Sequence, residues 1–326
     1  MKRLGRLVAN ILTSEDLLEQ QLKSITERKD IRPKPVELSK ATGIEYNALL
    51  KKLVREIKKD VNQLLPLLRQ LAPEYQTDSV ISTNDSLIDT TGLLLTTNDG
   101  YVTEITSALR RLLDKWSSPE FRSVAARMAS QFVRTANTVN GKRFSKSMKS
   151  FGIDIFGDDP SLQEYVDASI FDNTRLITSI PEQYLTQVES IVMTNIRAGG
   201  RPSSIAKLLQ KQFDVTENRA KMIARDQTAK VNGDLNKKRQ LATGFEYFQW
   251  LTSEDERVRD RHDDISDKIT AYGKGIYRWD NPPLSENGTP IIPGQDFQCR
   301  CTGRPVSQRE VDENVKAGRT RPGVKR

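Results

Sequence analysis

Residues Thr216–Leu251 read TENRAKMIARDQTAKVNGDLNKKRQLATGFEYFQWL, and the change of character at Gly244 decides the architecture. Thr216 and Glu217 open a run of helix formers that continues to about Ala242 and stops at Gly244. At 1.5 Å per residue that helix is about 40 Å long. The FEYFQWL that follows is aromatic and strand-like. Beyond it the chain is rich in loops, punctuated by Pro282, Pro283, Pro290 and Pro293. The expected fold class is therefore α+β and predominantly helical. An elongated helical N-terminal region precedes a small, loop-rich C-terminal module that contains β-strands.

Upstream, apolar residues recur at helical spacing over residues 44–72: Tyr46, Leu50, Leu53, Ile57, Val61, Leu64, Leu68 and Leu71. Pro66 inside that pattern should kink the helix or split it. Composition then turns to Ser, Thr, Asn and Asp, and Asn98-Asp99-Gly100 is a turn signal, so 77–101 reads as a polar linker or hairpin. Helical spacing resumes with Ile105, Leu109, Leu112 and Trp116. Ser118-Pro119 starts the next helix, with Ser as N-cap and Pro in the first turn. Residues 140–160 look irregular. A helix is expected over 181–198, and a short one over Ile205–Phe213. The organisation expected is a helical arm (1–76), the linker or hairpin (77–101), a helical domain (102–244), the β/loop module (245–306) and a basic disordered tail (307–326).

Of the 326 residues, 36% are hydrophobic and 29% charged, which predicts a modest core and a large solvated surface. The net charge of +8 suits nucleic acid or an acidic protein partner. No stretch reaches the roughly 18–20 apolar residues that span a bilayer, so no membrane partner is expected. The N-terminus lacks a small-residue cleavage site, and no secretory signal is expected. Cys299 and Cys301 are one residue apart, too close for an unstrained mutual disulfide, so they read as reduced thiols or metal ligands.

The chain has one histidine, His262, and it lies in the same module as both cysteines. One imidazole and two thiolates supply three ligands of a tetrahedral zinc site, with Asp255, Asp263 or Asp264 as a fourth. The alternative is two small buried thiols and a histidine hydrogen-bonded to an aspartate. The string WLTSEDERVRDRH, Trp250 to His262, is mixed in sign and set up for internal Asp–Arg pairing. A metal-dependent nuclease or hydrolase using His262 and nearby aspartates is the catalytic alternative. No second histidine base is available to it, and no enzyme activity is expected. Two regions offer cations to phosphates. One is the face of the 217–242 helix. The other is the final stretch with Lys316, Arg319, Arg321, Lys325 and Arg326, the better nucleic-acid candidate.

The ordered set Ala224-Arg225, Gly244, Trp250, Thr252, Asp255, Arg257, Val258, Arg259, His262, Cys299, Arg300 and Cys301 resembles the phage Mu F-like family of head-morphogenesis (minor capsid) proteins. The resemblance covers about residues 165–306. It has Asp226-Gln227 where the family often has Thr-Glu, and Gln298 where Asn often precedes the first cysteine. The resemblance implies a non-enzymatic virion protein of few copies in the capsid interior at the portal vertex, present in the host cytoplasm during assembly. Its implied partners are the portal protein, viral DNA bound without sequence preference, and the major capsid or scaffolding protein.

Overall fold

The computed structural model describes residues 32–70, 87–151, 160–198 and 201–321. It is mostly helical, with a small antiparallel sheet near the C-terminus. The helices are α1 (Lys40–Val61), α2 (Leu64–Gln70), α3 (Leu87–Ser117), α4 (Pro119–Phe151), α5 (Pro160–Arg197), α6 (Pro202–Ala242), α7 (Asp260–Asp267) and α8 (Gln308–Lys316). The strands are β1 (Tyr247–Leu251), β2 (Ile269–Thr270), β3 (Gly273–Lys274), β4 (Ile276–Arg278) and β5 (Thr302–Val306). The chain divides into two compact units. One comprises Met1–Gly43, Phe132–Ser169 and Arg225–Arg326; the other comprises Ile44–Gln131 and Ile170–Ala224.

In the second unit the stripe from Tyr46 to Leu68 is core, each of its residues being buried. Leu71 lies outside the described residues. The split falls at Asn62–Gln63, which places Pro66 in the first turn of α2, where its missing N–H has no helical partner to lose. Ser118 caps α4 as expected, its Oγ accepting from the Phe121 N–H at 3.2 Å. The buried stripe of α4 runs through Phe121, Ala125, Ala129 and Phe132, while Val124 is exposed.

Four expectations are corrected, all toward longer helices. Residues 87–101 belong to α3 rather than to a linker or hairpin, since a lone two-stranded hairpin is marginal in water. Helix α4 continues to Phe151 through the stretch expected to be irregular. There Asn140 is buried, donating to Asn232 at 2.9 Å and Asn236 at 2.7 Å and accepting from Arg239 at 2.6 Å. Helix α5 passes through Pro181. An interior proline costs about 3 kcal/mol, but Ile177, Ile180, Tyr184, Leu185 and Val188 are all buried across it. At about 1.5–3 kcal/mol for each large side chain, their burial outweighs the lost bond. Helix α6 is a single 41-residue element. Thr216 does not cap a new helix; its Oγ1 bonds back to the Gln212 carbonyl at 2.9 Å, and one buried stripe runs from Ile205 to Leu235.

The C-terminal module is built on the sheet β4-β1-β5, with both pairings antiparallel. Alternation along β1 sends Phe248 and Trp250 into one cluster with Ile265, Tyr277, Trp279, Ile291, Ile292, Cys299 and Cys301. Tyr247 faces the other way, into a cluster with Ile276, Val306 and Val311. The Phe248 and Trp279 rings stack at 3.9 Å. Helix α6 is tied to this module: Gln240 donates to the Gly303 carbonyl at 2.9 Å, and Gln295 to Asp234 at 2.9 Å.

The tail expected from residue 307 begins as helix α8. Ser307 caps it by accepting the Glu310 N–H at 3.2 Å. Buried Glu310 forms a two-pronged pair with buried Arg304, at 2.6 and 3.0 Å. The Ser307-Gln-Arg-Glu310 spacing carried that N-cap signal in the sequence.

Helix α6 and the turn at Pro293–Gly294 meet backbone to backbone. A Cβ on Gly233 would lie 2.3 Å from the Pro293 carbonyl oxygen, and one on Gly294 would lie 2.7 Å from that of Ala229. Both neighbours are backbone and cannot swing aside. Gly233→Ala should therefore push the turn off the helix and destabilise the protein by about 1–3 kcal/mol, as overpacking does. Denaturant unfolding followed by tryptophan fluorescence measures this; an unchanged midpoint would contradict the contact.

Candidate metal centre

His262 sits in the first turn of α7, where it and Ile265 are the buried residues. Cys299 and Cys301 lead into β5, and both are buried. The Nδ1 of His262 lies 3.7 Å from the Cys299 Sγ and 3.5 Å from the Cys301 Sγ. All three ligand atoms lie within 4.8 Å of one another, and this buried group could hold a metal ion. The separations fit a tetrahedral ion. Bonds of about 2.3 Å to sulfur and about 2.0 Å to nitrogen place those atoms about 3.5 Å apart.

What surrounds the ligands fits as well. The other ring nitrogen of His262, Nε2, lies 3.1 Å from the Asp296 Oδ2. A carboxylate there fixes the ring and leaves Nδ1 as the free donor, the usual arrangement behind a metal-bound histidine. The Trp250 ring meets His262 edge-on at 5.3 Å. Its buried indole N–H acts on Cys301, where it favours the thiolate. A metal-bound thiolate would be a better acceptor for it than a neutral thiol.

The electrostatics favour a charged cluster. A hydrogen bond from Cys301 holds the Cys299 thiol well below its ordinary range, with His262 adding to the effect against the pull of burial. Cys301 is raised in turn, because it gives that hydrogen bond and lies beside the Cys299 charge. Burial opposes the charged form of His262, but Cys299 and Asp296 outweigh it, and its pKa is raised.

The fourth ligand expected from sequence is not found. Among the described residues no carboxylate joins the group. Asp255 is taken by Arg300, which grips both of its oxygens and holds its pKa below the usual carboxylate range. Asp263 and Asp264 follow His262 on α7 and are turned to the exposed side of that helix. Asp296, three residues before Cys299, is the partner that sequence reasoning missed; its spacing carries no motif.

The other residues singled out from sequence have these places. Trp250 is fully buried. Arg257 is exposed, and its backbone N–H donates to Asp255 at 3.1 Å. Arg259 pairs with Asp296 at 3.1 Å and also donates to the Phe297 carbonyl. Lys316 ends α8. Arg319 and Arg321 are exposed in side chain but held in backbone, their N–H groups donating to Asn314 at 2.9 Å and Thr270 at 3.0 Å. Lys325 and Arg326 lie outside the described residues. The two departures from the family pattern meet each other. Gln298 has a φ of 56°, a region where Asn is easier, and its N–H is held by the Asp226 carboxylate at 3.0 Å.

A β-module closing on His262, Cys299 and Cys301 against a long helix is the region that the family comparison matches. The model described as Phage Mu protein F like protein matches residues 186–304, so the chain carries a domain of that family. An uncharacterized protein of Haemophilus influenzae is 30% identical over 295 residues, covering 89% of this chain and 58% of that protein. The chain thus spans a little over half the length of that relative. No solved structure matches.

Metal binding would make ligand loss a folding defect. Cys301→Ser should abolish stoichiometric metal in purified protein and destabilise it by several kcal/mol, since binding energy is folding energy in such modules. Elemental analysis with thermal unfolding, with and without a chelator, measures both. Metal-free wild-type protein with unchanged melting would leave two buried thiols and a histidine.

Proposed function

We propose that this chain is a tailed-phage minor head protein of the portal vertex. It acts in head assembly and in DNA packaging and delivery by binding portal protein and DNA, without turnover. The Mu F-like domain over residues 186–304 is the observation that carries this reading. Among the described residues no helix is long and apolar enough to cross a membrane.

Zinc is the ion proposed for the centre. The two-thiolate, one-imidazole donor set and the tetrahedral spacing suit it better than they suit magnesium or calcium, which take oxygen ligands. Its role is to staple a module rich in Pro and Gly. Three protein ligands leave one position open, a feature that favours a metal-dependent nuclease or hydrolase. A polar cavity of about 500 Å³ also adjoins His262. That cavity meets Asp296, whose contact is with Nε2, whereas the ligand atom Nδ1 faces the thiols. The buried cysteines in the aromatic cluster favour a structural ion.

Co-expression with the cognate portal should recover the protein bound to the portal ring on affinity purification. The purified protein should leave duplex and single-stranded DNA intact with magnesium, manganese or zinc. Cleavage abolished by His262→Ala, or a portal that never co-purifies, would overturn the reading.

The tail contributes to DNA contact through cations beyond α8. Because α8 packs on the sheet through Val311 and the Arg304–Glu310 pair, the truncation chosen removes residues 322–326 and leaves every described residue in place. That truncation takes Lys325 and Arg326, and should flatten the log affinity–log salt slope for duplex DNA by up to about 1.8, at about 0.9 per phosphate. An unchanged slope in a salt titration would assign the tail another role.

A further inference from the structure

Helix α4 carries no acidic residue from Phe121 to its end at Phe151. Its last turns read KRFSKSMK over Lys142–Lys149, and burial there follows the helical period. Phe144, Ser147 and Met148 are buried, while Lys142, Arg143, Ser145, Lys146 and Lys149 are exposed. Lys142, Lys146 and Lys149 stand four and three residues apart, so they share one face over about 10 Å. Like charges at those spacings repel, and a carboxylate three or four residues away is the usual relief. This helix offers none. The helix dipole accounts for Lys149, which lies in the last turn, but its pull fades before Lys142 and Lys146.

Neighbouring segments do not supply the missing charge. Residues 32–39 pack on this part of α4, with Arg143 donating to the Glu37 carbonyl at 2.9 Å and Ser147 to the Lys34 carbonyl at 2.7 Å. That segment brings one exposed carboxylate, Glu37, and one more exposed cation, Lys34. Helix α6 meets α4 through Asn232, Asn236 and Arg239, and its Asp234 is engaged by Tyr165 and Gln295. Early in α5, Glu164 and Asp167 are exposed, and Asp167 is held by Gln163. Among the described residues no carboxylate lies within ion-pair distance of Lys142, Arg143, Lys146 or Lys149.

We infer that the Lys142–Lys149 face of α4 is a contact surface for the nucleic-acid backbone. This rests on the DNA-binding part of the function proposed above and gives it a site in the folded chain, distinct from the tail. A polyanion relieves the repulsion that the helix leaves standing, and a duplex carries a charge about every 1.7 Å along its axis. Lysines and the Ser145 hydroxyl are phosphate-contacting groups that carry no sequence information. An acidic protein face fits less well. Protein interfaces centre on aromatic and apolar anchors and are depleted in Lys and Ser. The exposed large apolar residue of α4 is Val124, more than four turns before Lys142.

The test uses the full chain and a short mixed-sequence duplex, with fluorescence anisotropy over a series of salt concentrations. Lys142→Gln/Lys146→Gln/Lys149→Gln removes the face and leaves Arg143 on the Glu37 carbonyl. Circular dichroism checks folding, and Lys146→Gln alone serves if the triple variant does not fold. A matched variant, Lys40→Gln/Lys52→Gln/Lys59→Gln, removes the same charge from exposed positions on α1. The expected result is a log–log salt slope flattened by up to about 2.7 in the α4 variant, at about 0.9 per phosphate lost, and little changed in the α1 variant. The effect should be the same on different sequences, and Arg at the three α4 positions should keep the slope. A slope lost in the Arg variant too would trace the effect to the fold and overturn the site. Equal flattening in the α1 variant would reduce the effect to net charge and overturn it as well. An unaltered slope in the α4 Gln variant would overturn this surface while leaving DNA binding to the tail, and no DNA binding by wild-type protein would overturn both. Lost portal co-purification with DNA affinity unchanged would make the face a protein-docking site and overturn the inference.

Discussion

Cys299 and Cys301 stand one residue apart and both point inward, and that alternation governs the C-terminal module. In an extended segment, residues two apart share a face and the one between them takes the other. Two thiols turned toward His262 therefore turn Arg300 out toward Asp255. The same three residues thus supply the inner thiol pair and the outer Arg300–Asp255 ion pair. A metal held by the thiols would also fix the arginine.

The rest of the module serves that placement. Phe248 and Trp250 reach the ligand cluster because β1 alternates, and β1 is central because β4 and β5 pair on its two sides. Helix α6 comes close enough to bring Arg225 and Asp226 alongside because Gly233 and Gly294 carry no Cβ where backbone meets backbone. Asp234, half-buried on that helix, is held by Tyr165 and Gln295, and desolvation raises its pKa. Helix α8 then covers the opposite face of the sheet through Val311 and the buried Arg304–Glu310 pair. Breaking one partner of such a pair is more costly than the pair is stabilising, since it leaves a lone buried charge. The pair therefore fixes where the helix sits more than it adds stability.

Much of this was legible in the amino-acid sequence. The switch from helix to aromatic strand at Gly244, the apolar stripe from Tyr46 to Leu68, the Ser118 cap and the grouping of His262 with the two cysteines all depend on local order. Periodicity and capping act within a few residues, so sequence states them directly. Tertiary structure decided the rest. Helices α5 and α6 run through Pro181 and Thr216 because a buried stripe outweighs one local breaking signal, and burial is not a local property. Asp255 went to Arg300 and Asp296 to His262, pairings between residues 45 and 34 apart in the chain. Charge type marks which residues can pair, but only the folded path sets which of them meet.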